Sequence, residues 1–209
     1  MSRARTLANF VGGTSTIVGN PTFTGTTVGA GKLIQVKQTV FKGQFTDSIS
    51  TNGHEEVVTG LNCAITPTSA SNKILVEYTV HIGSTSFYDI GINVYKNVSA
   101  NSGAHPLGTK LLDSSGNAIE GTSSGGRPSS VGVANLYGEA SAGAYKNFAS
   151  TQKILDHPNT TSALTYSIAL RYYSYASSAV YVNRSHHFQV SSGLYDHCPV
   201  SMLTLMEVS

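Results

Sequence analysis

Apolar and polar residues alternate with a period of two along most of the chain from Lys32 onward. The clearest segment is Lys73–Ile82, whose even positions are apolar and whose odd positions are mostly polar. Leu164–Tyr172 repeats this pattern, and Ile90–Val94 shows a shorter form of it. Because successive side chains of a strand point to opposite faces of a sheet, this period predicts strands with one buried face.

Weaker alternation predicts further strands in the rest of the chain. They are Leu33–Phe41, Gln44–Ile49, Glu56–Ile65, Thr109–Leu112, Gly132–Tyr137, Ala179–Val182 and Met202–Val208. Clusters of Gly, Pro, Asn and Ser separate these segments, and the polar stretch Gly121–Ser130 is predicted to be a long surface loop. Short strands at this spacing, without crossover helices, predict an all-β fold over residues 32–209, an antiparallel sandwich or barrel.

One strand is expected to be covered on both of its faces. In Lys73–Ile82 the odd position Leu75 is apolar, and it directly precedes Val76 of the buried phase. An almost continuous apolar run is typical of a strand in the middle of a sandwich. We therefore expect both Leu75 and Val76 to be buried.

Residues 1–31 follow a different pattern. Leu7, Phe10 and Val11 would share one face of a short helix that ends at Gly12-Gly13. The Thr- and Gly-rich stretch that follows, up to Gly31, is predicted to be an extended stem. An isolated helix shorter than about 12–15 residues is marginal, so its apolar patch needs other copies of the chain or another protein to bury it.

The composition suits a protein that packs against copies of itself. Charged residues make up 11% of the chain, against about 25% in ordinary soluble domains, and few charges reduce self-repulsion. The net charge is +2 and the basic residues are scattered, so we expect no nucleic-acid partner. Since no apolar run approaches the roughly 20 residues of a membrane-spanning helix, we also expect no membrane insertion.

Two further features concern secretion and the cysteines. Asn9 and Gly12 interrupt the apolar stretch near the N-terminus, so no signal peptide is predicted. Cys63 and Cys198 are too few for a disulfide framework in a chain of this size. Cys63 stands among apolar residues and is expected to be a small buried side chain.

No residue is predicted to carry catalysis. The stretch 121–125 has the spacing of a nucleophile elbow, but that motif needs a following helix, and Gly126-Arg127-Pro128 cannot begin one. Glu55 and Glu56 are adjacent, so in a strand they point to opposite faces and cannot act as a carboxylate pair. We therefore expect a protein that is not an enzyme and that has no catalytic residue and no cofactor.

A histidine-bearing segment near the C-terminus is the strongest alternative for a metal site. It contains His186, His187, Tyr195, Asp196, His197 and Cys198. Histidine, aspartate and cysteine bind zinc and other transition metals, but this spacing matches no standard site. Adjacent His186 and His187 would also diverge in a strand. We predict no metal here and interpret the segment as a polar loop at the edge of a trimer.

Tyrosine usage indicates contact surfaces. The chain has 11 tyrosines and no tryptophan. Tyr166 and Tyr172 fall on the apolar phase and are expected in the core or at an oligomer axis, whereas Tyr173, Tyr175 and Tyr181 fall on the opposite phase. Tyrosine buries a large area at low entropic cost, which favours a role between subunits. Stacking on a sugar is the alternative.

Two segments carry a resemblance to a known family. They are Gly31–Val36 (GKLIQV) and Thr59–Val76 (TGLNCAITPTSASNKILV). Together they resemble fibre-like virion proteins of marine and cyanobacterial tailed phages, in which a strand, an Ile-Thr-Pro turn, a Ser-rich loop and a Lys-Ile-Leu-Val strand follow one another. Ala8–Val11 and Asn20–Gly25 are similar to stem segments of such fibres. The resemblance covers about Leu7–Val94, and the later half matches only in its strand rhythm.

The resemblance implies a jelly-roll head like that of C1q and TNF-like homotrimers, with the N-terminal stem directed toward the virion. It implies a structural virion protein, assembled in the host cytoplasm, that serves as a tail-fibre or fibre-head subunit in host attachment. Leu7, Phe10 and Val11 would then attach the chain to other virion proteins. The expected contacts with neighbouring subunits, or with a host cell-surface glycan or protein, are Tyr173, Tyr175, Tyr181, His186, His187 and Tyr195. The alternatives are a capsid decoration or head-fibre protein and a glycan-binding receptor module.

Overall fold

The alternating segments form two antiparallel sheets whose apolar faces pack together. The computed structural model describes residues 31–49, 54–84, 90–99, 101–102, 105–106, 108–122, 129–134, 147–172, 178–186 and 197–209. These residues belong to one compact unit, Gly31–Ser209. They contain strands and loops and no helix, which confirms the predicted all-β sandwich. In this part of the chain, no helix is long and apolar enough to cross a lipid bilayer.

Ten of the thirteen described strands coincide with predicted segments, and β6, β7 and β10 were not predicted. The strands are β1 (Leu33–Phe41), β2 (Phe45–Ile49), β3 (Glu55–Ile65), β4 (Lys73–Ser84), β5 (Ile90–Lys96), β6 (Asn101–Ser102), β7 (His105–Pro106), β8 (Thr109–Lys110), β9 (Gly132–Ala134), β10 (Phe148–Asp156), β11 (Leu164–Tyr172), β12 (Ser178–Val182) and β13 (Ser201–Val208). Beyond β8, Leu112 forms only an isolated bridge with Ala118.

The strands assemble into two main sheets. Sheet A has the order β1-β13-β4-β12-β2, and β10 also pairs with β4. Sheet B has the order β3-β11-β5-β8, and β9 also pairs with β5, while β6 and β7 form a separate ribbon. The chain changes sheet at β2–β3, β3–β4, β4–β5, β9–β10, β10–β11 and β11–β12, so that many strands adjacent in sequence lie in opposite layers, as they do in jelly rolls.

The core lies between the two sheets and follows the predicted phase. Sheet A contributes the even positions of β4, which are fully buried: Ile74, Val76, Tyr78, Val80 and Ile82. Sheet B contributes the even positions of β11, which are also almost completely buried: Tyr166, Ile168, Leu170 and Tyr172. Cys63 is also buried, as expected from its apolar neighbours.

A bulge in β3 depends on one glycine. The pairing of β11 with β3 shifts register between Ser167 and Ala169. On the β3 side, Gly60 has a φ of 90°, a left-handed conformation that favours glycine. A Cβ at this position would also lie 3.0 Å from the ring of Phe41.

Strand β10 is absent from the strands predicted by the sequence, although it makes a long pairing with β4. Its buried side chains are Ser150, Ile154 and Asp156, and Phe148 on the same phase packs partly buried against the core. The polar Ser150 and Asp156 interrupt the apolar alternation on this face. Because buried polar residues that bond to other segments occupy its inward positions, the hydrophobic pattern does not predict this strand.

The expectation that Leu75 is buried was wrong. Val76 is fully buried, whereas Leu75 is only half-buried. Strand β4 lies in the middle of sheet A, but each sheet of a sandwich turns only one face to the core, and Leu75 is on the other.

Two predictions fall on residues that the structure does not describe. The predicted stem over residues 1–31 lies outside the described residues except for Gly31. The predicted surface loop is described only at its two ends, where the amide of Gly121 donates a hydrogen bond to the carbonyl of Ser130 (3.1 Å).

Candidate functional site

The outer face of sheet A carries a row of apolar side chains. Val36 pairs with Met206, Met206 with Leu75, and Leu75 with Leu155, so these side chains lie next to one another across four strands. Val36 is 51% exposed and Leu155 is 40% exposed, while the two between them are half-buried. This apolar row is a contiguous exposed strip, a feature that marks interaction surfaces in soluble proteins.

A polar row runs directly beside it. Gln38 donates a hydrogen bond to the Thr204 hydroxyl (2.9 Å), and Lys153 forms an ion pair with Glu77 (3.2 Å). The four residues are aligned across the same strands as the apolar row. The apolar row is therefore bounded on this side by side chains that already have partners.

Asp47, His54 and Glu56 form a second candidate site, which we call the histidine–carboxylate cluster. The Nε2 atom of His54 lies 3.5 Å from Asp47 Oδ2 and 3.3 Å from Glu56 Oε2. Each side chain is less than one quarter exposed, and one ligand atom of each lies within 4.8 Å of the other two. Glu56 and His54 are two residues apart and share one face of the chain, as strand geometry requires.

Tyr172 holds two members of this cluster in place. Its hydroxyl donates a hydrogen bond to Asp47 Oδ2 (3.1 Å), and its ring stacks on His54 with an interplanar angle of 3°. Its amide also donates to the carbonyl of His54 (3.0 Å). Burial, followed by the nearby Asp47 carboxylate, raises the pKa of Tyr172, so the hydroxyl stays protonated and remains a donor.

Glu56 and Asp47 bring two carboxylates close together in a partly buried site. Burial raises the pKa of Glu56, the Asp47 carboxylate raises it further, and His54 acts in the opposite direction. Two carboxylates held close together in a partly dry site repel each other, and a cation placed between them relieves that repulsion.

A third polar centre surrounds Glu207 in β13. Its carboxylate accepts hydrogen bonds from the side chains of Asn72 (2.6 Å) and Gln35 (2.6 Å), and from the amide and hydroxyl of Thr68 (both 2.7 Å). Burial raises the pKa of Glu207, but these hydrogen bonds outweigh burial and lower it to about 2. Thr68 and Asn72 belong to the Ser-rich loop after the Ile-Thr-Pro turn, so Glu207 anchors this loop to β13.

A buried ion pair lies in the core. Lys96 Nζ is 2.9 Å and 3.0 Å from the two carboxylate oxygens of Asp156, and both residues are almost completely buried. The same carboxylate accepts hydrogen bonds from the Tyr166 hydroxyl (2.7 Å) and the amide of Leu112 (2.7 Å). With its charge paired and its oxygens bonded, Asp156 ties β10 to β5, β11 and the segment after β8.

Glu55 and Glu56 diverge as predicted. Glu56 joins the histidine–carboxylate cluster, whereas Glu55 is 2% exposed and accepts hydrogen bonds from Asn93 (2.7 Å) and the Tyr95 hydroxyl (3.0 Å). The two carboxylates therefore belong to separate centres and do not form a pair.

The structure describes two of the predicted contact residues. Tyr181 is only 8% exposed, because the Arg184 guanidinium lies 4.5 Å above its ring and His186 stacks beside it at 5.9 Å. His186 is exposed. Any contact at this place would therefore be made by His186 and Arg184 more than by Tyr181. The other predicted residues lie outside the described residues: Leu7, Phe10, Val11, Tyr173, Tyr175, His187 and Tyr195.

Sequence reasoning considered metal-ligating residues only in the C-terminal segment and predicted no metal there; residues 187–196 of that segment lie outside the described residues. In the described ranges, three side chains of metal-ligating types converge at Asp47, His54 and Glu56. The available signal was a histidine two residues before a glutamate at the start of a strand. Asp47 comes from β2 in the other sheet, and no local pattern indicates that it lies nearby.

Comparisons with known proteins identify no family for this chain. No protein-family model matches it, and no curated protein matches it. A chain from the structure of infectious bursal disease virus, Gx strain, is similar at 9% sequence identity and a TM-score of 0.34. The match covers 84% of this chain and 41% of the viral chain. A TM-score of 0.34 is too low to indicate a shared fold.

Proposed function

We propose that this chain is a structural subunit of a bacteriophage particle, a trimeric tail-fibre or fibre-head protein. The apolar row on the outer face of sheet A carries the proposal, because it gives the folded sandwich a surface that another copy can cover. The low charge content favours close packing between copies. The resemblance of residues 31–36 and 59–76 to phage fibre-like proteins supports the same assignment.

A second copy of the chain is the occupant that best suits the apolar row. The row runs continuously across four strands, so the rows of three copies can meet around a threefold axis. A stable interface buries about 1,200–2,000 Å² in total, so the row would form the centre of a wider contact. Burial of a large apolar side chain stabilises such a contact by about 1.5–3 kcal/mol.

Light scattering on purified protein tests the assembly. The chain has a mass of 21.9 kDa, and we expect the wild-type protein to have three times that mass at micromolar concentration. Leu155→Glu should give a folded monomer. Thr151→Glu, four residues earlier on the same outward face of β10, is the matched control and should remain trimeric. A monomeric wild-type protein, or a trimeric Leu155→Glu variant, would contradict the proposal.

A separate measurement tests the location in the particle. Gold-labelled antibodies against the chain should decorate fibres or their tips in electron micrographs of purified phage. Label distributed over the capsid would instead identify a decoration or head-fibre protein. Binding of the purified protein to a glycan array would support a role in host attachment.

A further inference from the structure

We propose that Asp47, His54 and Glu56 bind one divalent transition-metal ion, of which Zn²⁺ is the representative, and that this ion joins the two sheets of the sandwich. The inference does not depend on the proposed assembly role. It follows from the spacing of the three ligand atoms, from the strands that carry them and from the residue that supports them.

The spacing of the ligand atoms leaves room for a metal ion between them. The charge-assisted hydrogen bond of a protonated histidine to a carboxylate is about 2.7–2.9 Å long. The distances from His54 to Asp47 and Glu56 are longer, at 3.5 Å and 3.3 Å. Metal–ligand bonds of about 2.0–2.1 Å place the corners of a tetrahedron about 3.3–3.4 Å apart. Both distances therefore match the edges of a tetrahedral zinc site.

The ligands come from opposite layers of the fold. Asp47 is on β2 in sheet A, whereas Glu56 is on β3 in sheet B and His54 immediately precedes that strand. An ion held by all three would tie the two sheets together at one end of the sandwich. The opposite sheets are already joined in this way by the ion pair of Lys96 with Asp156.

Tyr172 supplies the outer support that metal ligands need. Ligating carboxylates and histidines are held by hydrogen bonds from neighbouring groups, which fix their orientation. The Tyr172 hydroxyl holds Asp47, and its ring and amide hold His54. Two of the three ligands are thus oriented by one buried side chain before any ion binds.

The donor set decides which ions fit. One imidazole and two carboxylates suit Zn²⁺ and other first-row divalent ions. Ca²⁺ takes about six to eight oxygen ligands, and Mg²⁺ prefers oxygen ligands and retains several waters, so both should bind weakly here. Three protein ligands leave a fourth position for water or another small ligand.

Calorimetry on tag-free protein, stripped of metal with a chelator and titrated with ZnCl₂, tests the proposal. We expect one ion per chain, and zinc at about 100 times its Kd should raise the melting temperature by about 5–10 °C. His54→Ala and Glu56→Gln should each weaken zinc binding at least about tenfold, and Tyr172→Phe should weaken it about tenfold. MgCl₂ should give no comparable shift.

Matched substitutions of a histidine and a glutamate outside the cluster test whether the loss of zinc binding is specific to the cluster. His157→Ala removes another partly buried histidine, and Glu77→Gln removes a carboxylate from the outer face of β4. Both should bind zinc as the wild type does. X-ray absorption of the zinc-loaded wild type should show nitrogen and oxygen ligands at about 2.0–2.2 Å, with no sulfur.

Three results would overturn the proposal. One is the absence of zinc binding by the wild-type protein. Another is equal affinity of the wild type, His54→Ala and Glu56→Gln, which would make the cluster a simple network of ion pairs. The third is a sulfur ligand in the absorption spectrum, which would place the ion at a cysteine and not at this cluster. Because the spectrum needs only the wild type, a sulfur ligand would overturn the proposal even where a variant fails to fold.

Discussion

The Glu207 carboxylate accepts a hydrogen bond of 2.6 Å from the Asn72 side chain, which lies 135 residues earlier in the sequence. This bond joins the Ser-rich loop between β3 and β4 to the strand β13. It is one of the contacts that hold the pKa of Glu207 at about 2, well below its ordinary value of 4.5. The loop and the strand are thus locked together by an ionised carboxylate.

Glu207 should make the fold sensitive to acid. A carboxylate whose pKa is lowered on folding stabilises the fold above its unfolded pKa, and this contribution is lost as pH falls toward the folded value. We therefore expect the free energy of unfolding to decline between about pH 4.5 and pH 2. Glu207→Gln should cost about 1.5–3 kcal/mol at pH 7 and flatten this decline. Urea denaturation of both proteins across this pH range measures the effect.

Removing one partner of the Lys96–Asp156 ion pair should destabilise the fold more than removing both partners together. Lys96→Met or Asp156→Leu alone leaves a buried charge without its partner and should cost about 3–5 kcal/mol. The double variant removes both charges and should be more stable than either single variant. Chemical denaturation of the four proteins gives the coupling free energy, and additive losses would contradict the prediction.

The two faces of β4 should respond differently to truncation. Val76→Ala opens a cavity in the core and should cost about 2–4 kcal/mol. Leu75→Ala removes a half-exposed side chain and should cost less than about 1 kcal/mol in the monomer. The comparison is best made in the Leu155→Glu background, where assembly is blocked. Equal losses would mean that the outer face of sheet A is covered within one chain.

Assembly through the apolar row should make thermal stability depend on concentration. If folded copies associate and unfolded chains do not, the melting temperature rises with protein concentration. We expect this rise for the wild type and for Thr151→Glu, and a constant melting temperature for Leu155→Glu. Calorimetry over a hundredfold range of concentration, about 1–100 μM, provides the measurement.

The N-terminal segment should be dispensable for folding but needed in the particle. Deletion of residues 1–30 leaves Lys32, whose amide and carbonyl hydrogen-bond with Ser209, in place. We expect an unchanged melting temperature and loss of incorporation into phage. Substitution of Leu7, Phe10 and Val11 by serine in the full chain should give the same loss. Normal incorporation of either variant would contradict the attachment role.

The sequence predicted the strands well where inward positions are apolar. The alternation in β4 and β11 correctly identified their buried faces, because successive side chains of a strand point to opposite faces of the sheet. The same reasoning failed at β10, whose inward Ser150 and Asp156 are polar. It also failed for Leu75, because an apolar residue on the outer face of a sheet does not lie in the core of the sandwich.

The polar centres could not be predicted because their members are far apart in sequence. Lys96 and Asp156 are separated by 60 residues, and Gln35 and Glu207 by 172. The divergence of Glu55 and Glu56 was predictable from strand geometry. Their partners were not predictable, since only the pairing of the strands brings Asn93 next to Glu55, and Tyr172 and Asp47 next to Glu56.

The position of β13 has a consequence for synthesis on the ribosome. Strand β13 lies between β1 and β4 in sheet A, and Leu33 of β1 pairs with Val208 of β13. When the nascent chain has emerged only as far as β12, β1 has no partner in sheet A among the described strands, and one edge of β4 is open along Lys73–Thr79. Sheet A can therefore close only after Ser201–Val208 has left the ribosome exit tunnel, and such non-local pairing makes folding slow. Until then, the open edges are available to neighbouring nascent chains on the same messenger RNA.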